Sequence, residues 1–243
     1  MNIPKIVFIV PYRDRKQQQL FFANHMKSIL ADVENYEIFY IHQNDNRTFN
    51  RGAIKNIGFI FVKQRYPNDY KNITIVFNDV DTMPFTRNFL DYETRKGVVK
   101  HFYGFKFALG GIVSINGEDF ENINGFPNLW SWGYEDNELN NRCTKNKIHI
   151  DRSQFFPILD KNILQLSDGI TRTIDKSEIR IFNSNTKEGV SSIRDLNYEL
   201  LDDGFVNVTA FETGRKYNHL NAIDHDLRKP INARSKPKMK MFI

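Results

Sequence analysis

The chain has 243 residues, of which 40% are hydrophobic and 26% charged, with a formal net charge of +5. This is the composition of a globular protein, and it excludes disordered, collagen-like and coiled-coil chains. A chain of this length can form a full core without disulfides. The sequence has one cysteine, Cys143, and no apolar run long enough for a signal peptide or a membrane span. We therefore expect a soluble protein in the cytoplasm or another reducing compartment.

The positive charge is concentrated at the end of the chain. Residues 228–243 carry six basic and no acidic side chains, and the remainder has 28 basic and 29 acidic residues. A basic, proline-containing stretch without apolar periodicity is typical of a solvated tail, and binding of nucleic acid or an anionic membrane is the alternative. Because the body is nearly neutral, no nucleic-acid partner is expected.

Strands and helices alternate along the first 80 residues. Continuous apolar, β-branched runs indicate buried strands, and apolar residues at helical spacing follow the first two runs. This alternation predicts an α/β fold with an open, mainly parallel sheet. The predicted strands are residues 6–10, 36–41 and 73–77, and the predicted helices are residues 17–30 and a helix capped by Asn50.

The rest of the chain is more irregular. Its predicted elements are strands at residues 98–105 and 111–115, a short helix near Glu118 and a helix at residues 136–145. We predict one domain over residues 1–227, with a nucleotide-binding half to about residue 84, an acceptor and catalytic half over residues 85–227, and the tail beyond.

Two aspartates follow the third predicted strand. Asp79 and Asp81 are two residues apart, so a continuing strand would point both carboxylates to one side, where they repel unless a cation joins them. Oxygen ligands suit Mg²⁺, Mn²⁺ or Ca²⁺, which often complete their shells with substrate phosphates. The alternative is that these aspartates only cap a turn.

Both tryptophans lie in one loop segment, directly before an acidic helix start. An indole face such as that of Trp132 can stack on a sugar ring. Glu135 or Asp136 could serve as a general base for a hydroxyl nucleophile. Alternatively, the acids only favour the helix macrodipole, and the tryptophans belong to the core.

Six short motifs occur in a fixed order between residues 4 and 145. They are residues 10–15 (VPYRDR), 49–51 (FNR) with 56–58 (NIG), 77–81 (FNDVD), 109–112 (LGGI), 124–127 (NGFP) and 130–136 (WSWGYED). In this order and spacing, the set resembles the β-1,4-galactosyltransferase family. The resemblance implies a single-domain GT-A fold and an inverting transferase that uses a UDP-sugar and usually Mn²⁺.

The resemblance also implies roles for individual residues. Asp136 matches the catalytic base of the family, with Glu135 beside it. Asp81 and Asp79 would hold Mn²⁺ or Mg²⁺, and the acceptor would contact Trp132, Asp136 and Asn137. The residues implied to bind the nucleotide sugar are Pro11, Arg13, Arg15, Phe49, Arg51, Asp79, Val80, Asp81, Gly110, Gly111 and Trp132.

The sequence departs from the family pattern at the metal site. The family supplies a further metal ligand from a histidine downstream of the tryptophans, whereas residues 163–168 (ILQLSD) contain none. The remaining oxygen donors there are Gln165, Ser167 and Asp168. The resemblance therefore leaves metal dependence open.

Three other departures concern the sugars. Ala108 stands where galactosyl members place a tyrosine that crowds the C2 substituent of the donor sugar. We therefore expect UDP-GalNAc or UDP-GlcNAc to be used at least as well as UDP-Gal. Asn137 and Ser131 replace an aspartate and a glycine of the pattern, which leaves the acceptor open.

The predicted function is transfer of a hexose or N-acetylhexosamine from a UDP-sugar to a hydroxyl group of a glycan or glycoconjugate. The alternative is an inactive family member that binds a nucleotide sugar or a glycan, which the missing histidine suggests. Retention of the four acids Asp79, Asp81, Glu135 and Asp136 favours the enzyme.

Overall fold

The computed structural model describes residues 2–182 and 187–229. Most of the predicted tail lies outside these residues. The described chain contains five α-helices: α1 (Lys16–Ile29), α2 (Arg51–Arg65), α3 (Gly117–Asn122), α4 (Glu135–Lys145) and α5 (Lys176–Phe182). Asn50 caps α2 as predicted, because its side chain accepts a hydrogen bond from the Ala53 backbone N–H at 3.0 Å.

The described chain also contains thirteen strands. The first six are β1 (Ile6–Tyr12), β2 (Tyr36–Gln43), β3 (Thr74–Asn78), β4 (Thr82–Pro84), β5 (Val98–Gly104) and β6 (Ile112–Asn116). The others are β7 (His149–Asp151), β8 (Phe156–Pro157), β9 (Ile163–Gln165), β10 (Thr171–Asp175), β11 (Arg194–Leu200), β12 (Phe205–Glu212) and β13 (Ala222–Asp226).

Nine of these strands form one sheet, in the order β11-β12-β2-β1-β3-β6-β5-β7, with β8 also paired to β5. The strands β1, β2, β3 and β12 are parallel, and β6 runs antiparallel between β3 and β5. Two short sheets, β4-β9 and β10-β13, lie outside it. The predicted α/β class with a mainly parallel central sheet is confirmed.

The core lies on both faces of this sheet. Successive side chains of a strand point to opposite faces. Accordingly, Val7 and Ile9 of β1 pack in the cluster that includes α2, α3 and α4, whereas Phe8 and Val10 pack in the cluster that includes α1. Burial of both faces explains why β1 has a continuous apolar run.

Two features of the sheet differ from the sequence prediction. The first strand does not end before Pro11 but continues to Tyr12. Its pairing with β2 extends through Tyr12, whereas its pairing with β3 ends at Ile9. A proline that lacks an N–H is tolerated where one side of the strand has no partner. Furthermore, β11 and β12, which the sequence did not reveal, extend the sheet beside β2.

None of the helices within residues 2–182 and 187–229 has the length and apolar character needed to cross a membrane.

Candidate active site

A cavity of about 640 Å³ opens where β1 and β3 end at their carboxyl ends. Ligands of open α/β sheets bind at this edge. Ten residues that the sequence predicted as nucleotide-sugar or metal contacts line the cavity: Pro11, Arg13, Arg15, Phe49, Arg51, Asp79, Val80, Asp81, Trp132 and Gln165.

The two aspartates reach the cavity from a turn and not from a continuing strand. The Asn78 amide donates to the carbonyls of Asp79 at 2.8 Å and Thr82 at 2.7 Å, and this closes the turn between β3 and β4. Both carboxylates line the cavity. Burial and the nearby charge of Asp79 raise the pKa of the Asp81 carboxyl group. A cation near this pair would therefore be favoured.

Arg13 holds the loop that precedes α2. Its guanidinium group donates to the Asp45 carbonyl at 2.8 Å and also to the Arg47 carbonyl. Arg47 in turn lies over the rings of Trp130, at 4.6 Å, and Phe211, at 4.4 Å. These contacts fix the loop that carries Phe49 into the cavity.

Arg15 and Arg172 share one carboxylate. Asp168 forms ion pairs with Arg15 and with Arg172, the latter at 2.8 Å. Arg15 also lies 3.9 Å from the Asp81 carboxylate. The cavity therefore contains guanidinium groups suited to phosphate oxygens, and Asp168 holds two of them.

Arg51 connects the two acidic parts of the site. Its guanidinium group pairs with Asp79 after β3, with Glu135 at 3.0 Å and with Asp136 at 3.5 Å. Both Glu135 and Asp136 lie in the first turn of α4. One partly buried cation, with 18% side-chain exposure, thus joins the end of a strand to the start of a helix.

A second cation, Lys55, lies one helical turn after Arg51. Its ammonium group donates to Asp136 Oδ1 at 2.7 Å, and its side chain is only 2% exposed. The sequence prediction missed this residue. The available signal was the spacing of four residues from Arg51, which places both cations on one face of α2.

The environment moves the pKa values of the two neighbouring carboxylic acids, Glu135 and Asp136, in opposite directions. Burial and the charge of Asp136 raise the pKa of Glu135. Burial also opposes ionisation of Asp136, but Lys55 and Arg51 together outweigh it and lower the pKa of the Asp136 carboxyl group. Two adjacent acids with pKa values moved in opposite directions are a frequent feature of catalytic sites.

Gly110 packs against the Asp136 side chain, and Gly111 packs against Tyr103. A Cβ atom at Gly110 would lie 2.3 Å from Asp136 Oδ2, and Gly111 has a φ of +70°, which favours glycine. The Leu109 N–H donates to the Asp136 carbonyl at 2.9 Å. Gly110 therefore lets the backbone approach the start of α4.

The two tryptophans have different environments. Trp130 is buried and stacks on Phe211 with ring centroids 5.7 Å apart. Trp132 lines the cavity, and its backbone N–H donates to the Thr173 carbonyl at 3.1 Å. Only Trp132 is therefore placed to contact a ligand in this cavity.

Some predicted residues do not line the cavity in the described part of the chain: Gly110, Gly111, Glu135, Asp136, Asn137, Ser167 and Asp168. Glu135 and Asp136 reach it only through Arg51. The Gln165 amide oxygen accepts from the Tyr103 hydroxyl at 2.9 Å. Lining residues that the sequence did not indicate include Arg172, Thr173 and Tyr217.

Comparison with known proteins agrees with this geometry. Residues 2–92 match the profile described as the N-terminal region of glycosyl transferase group 7, and residues 99–163 match that described as the N-terminal domain of galactosyltransferase. The chain belongs to the β-1,4-galactosyltransferase family. It is 33% identical to β-1,4-galactosyltransferase 7 of Drosophila melanogaster over 164 residues, which cover 63% of this chain and 49% of the fly protein.

A second relative of this family matches over a longer stretch. The xylosylprotein 4-beta-galactosyltransferase of Caenorhabditis elegans is 29% identical over 227 residues, which cover 84% of this chain and 76% of the worm protein. The crystal structure of the catalytic domain of the Drosophila enzyme superposes with a TM-score of 0.64 at 22% identity, over 85% of this chain and 94% of that domain. The two chains therefore share the GT-A-like fold.

The ionic contacts of Arg51 predict a large loss of stability when its charge is removed. Arg51→Met leaves three carboxylates without their shared cation, and we expect the free energy of unfolding at pH 7 to fall by about 3–5 kcal/mol. Because Asp136 has a lowered pKa, its ionised form stabilises the fold above about pH 4, and this contribution is lost at lower pH. The difference between variant and wild type should therefore shrink below about pH 4.

Urea unfolding of wild type and Arg51→Met at pH 7 and pH 3.5 measures the loss of unfolding free energy and its decrease at low pH. Arg87→Met is the matched control, because Arg87 pairs with Asp32 and both side chains are about half exposed, at 50% and 47%. We expect this control to leave the unfolding midpoint nearly unchanged. An equally small effect of Arg51→Met at pH 7 would contradict the role of Arg51.

Proposed function

We propose that this protein is an inverting glycosyltransferase that moves a hexose or N-acetylhexosamine from a UDP-sugar to a hydroxyl group of a glycan or glycoconjugate. The main supporting observation is an ionic site in which Arg51 joins the cavity carboxylate Asp79 to Glu135 and Asp136. Family membership supports the reaction class. A variant of the Drosophila enzyme was solved in complex with manganese, UDP-Gal and xylobiose, and this supports a UDP-sugar donor and a glycan acceptor.

The cavity suits a nucleoside diphosphate. Arg15 and Arg172 offer guanidinium groups to the diphosphate oxygens, and Phe49 offers a ring to the base. Trp132 offers an indole face to a sugar ring. We assign these residues, with Pro11, Arg13, Val80 and Arg51, to the donor site.

The cavity also offers oxygen ligands that suit a hard divalent cation. Asp81 and Asp79 supply carboxylate oxygens beside the cavity, and burial together with the charge of Asp79 raises the pKa of Asp81. These are the ligands that Mn²⁺ or Mg²⁺ accepts in combination with substrate phosphates. When bound, such an ion supplies positive charge that stabilises the diphosphate leaving group. Asp168 is engaged by two arginines and is a weaker candidate ligand.

Asp136 is our candidate for the general base. Lys55 and Arg51 keep its carboxyl group ionised, so it can accept a proton from an acceptor hydroxyl. The resulting alkoxide-like oxygen attacks the anomeric carbon opposite to the departing UDP, and the configuration inverts. This route needs no covalent enzyme intermediate. Glu135, with its raised pKa, is placed beside the base.

The ionic contacts also support a second candidate function. Arg51 pairs with Asp79, and Arg15 lies between Asp81 and Asp168. Because these guanidinium groups already balance the cavity carboxylates, the chain could bind a nucleotide sugar without transferring it. Turnover decides between this binding protein and the enzyme.

We also propose that the protein works in the cytoplasm or another reducing compartment. Cys143 is buried in the core, and burial raises the pKa of its thiol to about 12. A single buried thiol makes no disulfide within the chain.

The assigned base predicts a specific loss in one variant. Asp136→Asn keeps the size of the side chain but removes the proton acceptor, so we expect sugar transfer to fall by about 100-fold or more. UDP binding, followed by calorimetry, should persist because Asp136 does not line the cavity among the described residues. Asp151→Asn on β7 is the control, and near-normal turnover of Asp136→Asn would refute the assignment.

Donor selectivity is tested at Ala108. The side chain is small and buried, with 7% exposure, and we propose that it leaves space for an N-acetyl group on the donor sugar. Ala108→Tyr should lower turnover with UDP-GalNAc or UDP-GlcNAc relative to UDP-Gal by about 10-fold or more. Thermal unfolding checks that the variant is folded. A folded variant with an unchanged ratio would remove Ala108 from donor selection.

A further inference from the structure

We propose that Lys55 is a positioning residue for the catalytic base: its ammonium group holds Asp136 Oδ1, so that Asp136 Oδ2 accepts the proton of the acceptor hydroxyl. This inference rests on the proposed function, in which Asp136 is the general base. It concerns a residue that the motifs of the sequence did not include.

The contacts of Lys55 are those of a fixed side chain. Its Nζ atom lies 2.7 Å from Asp136 Oδ1 and 4.0 Å from Glu135 Oε1. It also lies 4.4 Å from the centre of the Phe126 ring. With only 2% exposure, the Lys55 side chain is shielded from water. The hydrogen bond therefore restricts the rotation of the Asp136 carboxylate.

Packing alone does not explain a lysine at this position. The helix α2 buries Ile54 and Ile57 beside it, and an apolar side chain of similar volume would avoid the cost of removing an ammonium group from water. Buried ion pairs are often no more stable than such apolar replacements. A role in orienting Asp136 accounts for the buried charge, whereas a contribution to stability does not.

The two oxygens of Asp136 have different surroundings. Oδ1 is engaged by Lys55, whereas Oδ2 lies 3.5 Å from the Arg51 guanidinium group and faces Gly110. Oδ2 packs against the Gly110 backbone, since a Cβ atom at Gly110 would lie 2.3 Å from Oδ2 and clash with it. Lys55 binds Oδ1 closely, whereas Oδ2 has the longer contact with Arg51, so we assign Oδ2 to the acceptor hydroxyl group.

Four charged or titratable groups act on Asp136. Lys55 and Arg51 come from α2, Glu135 is its neighbour in α4, and His101 comes from β5. Burial, and then the charge of Arg152, lowers the pKa of His101 to about 4, so this ring is neutral at neutral pH. Loss of Lys55 therefore removes one of the two main positive charges and raises the pKa of Asp136.

The experiment compares wild type, Lys55→Met and Lys55→Arg in UDP release with donor and acceptor at saturation, from about pH 3 to pH 9, so that the range includes the acidic limb of the wild type. We expect Lys55→Met to lower kcat about 10- to 100-fold with the KM for the UDP-sugar unchanged. The acidic limb of the kcat profile should move to higher pH by about 1 or more. Lys55→Arg should restore the position of this limb.

Lys63→Met is the matched control, since Lys63 lies on the same helix, is 44% exposed and pairs with Glu121 outside the site. It should behave as wild type. Should Lys55→Met fail to fold, Lys55→Gln keeps a hydrogen-bond donor without the charge and is measured in the same way. In an Asp136→Asn background, the Lys55 substitution should cause no further loss of turnover, because the two residues act as one unit.

The outcomes separate the two proposals. An active wild type with an unmoved acidic limb in folded Lys55→Met or Lys55→Gln overturns the role of Lys55 alone. Additive losses in the double variant also overturn it. A wild type that turns over no UDP-sugar overturns the proposed function, and the role of Lys55 with it.

Discussion

The site depends on a partly buried ionic cluster that Arg51 holds together. Its guanidinium group contacts Asp79 at the turn after β3 and Glu135 and Asp136 at the start of α4. These carboxylates come from distant parts of the sequence, and without a shared cation they would repel one another in a poorly solvated region. The neighbouring chain is arranged to permit this contact. Asn50 caps the helix that carries Arg51, and a Cβ atom at Gly52 would lie 2.0 Å from the Pro127 carbonyl oxygen.

The same cluster explains how two adjacent acids acquire different properties. Lys55 and Arg51 stabilise the charge of Asp136, whereas burial and the charge of Asp136 disfavour the charge of Glu135. An ionised carboxylate can take a proton, and a neighbour that ionises less readily can donate a hydrogen bond. The cavity supplies the complementary part, since its guanidinium groups suit phosphate oxygens and its paired aspartates suit a divalent cation. These features together support transfer chemistry more strongly than any single motif does.

Local signals predicted the elements around the cavity. The continuous apolar runs of β1 and β3 and the Asn50 cap indicated the fold class, because each depends on neighbouring residues alone. Most of the ten predicted residues of the cavity wall came from the resemblance of the ordered motifs to the β-1,4-galactosyltransferase family. The sequence did not reveal β12 or Arg172. Pairing of β12 with β2 joins residues more than 160 positions apart, and Arg172 reaches the cavity from the short sheet of β10 and β13. Lys55 was missed because a charged residue in an amphipathic helix normally indicates a solvated face, whereas here it is buried against Asp136.

The most direct test of the account is UDP release by the wild-type protein over a panel of UDP-sugars and glycan acceptors, with and without Mn²⁺, beside calorimetric binding of each donor. The account predicts acceptor-dependent turnover with at least one donor, and inversion at the anomeric carbon of the product. A rise in turnover with Mn²⁺ would show that the reaction uses a divalent cation, for which Asp79 and Asp81 are the proposed ligands. Donor binding without turnover under any of these conditions would contradict the enzyme and favour a nucleotide-sugar-binding protein, and absence of UDP binding would contradict the donor site itself.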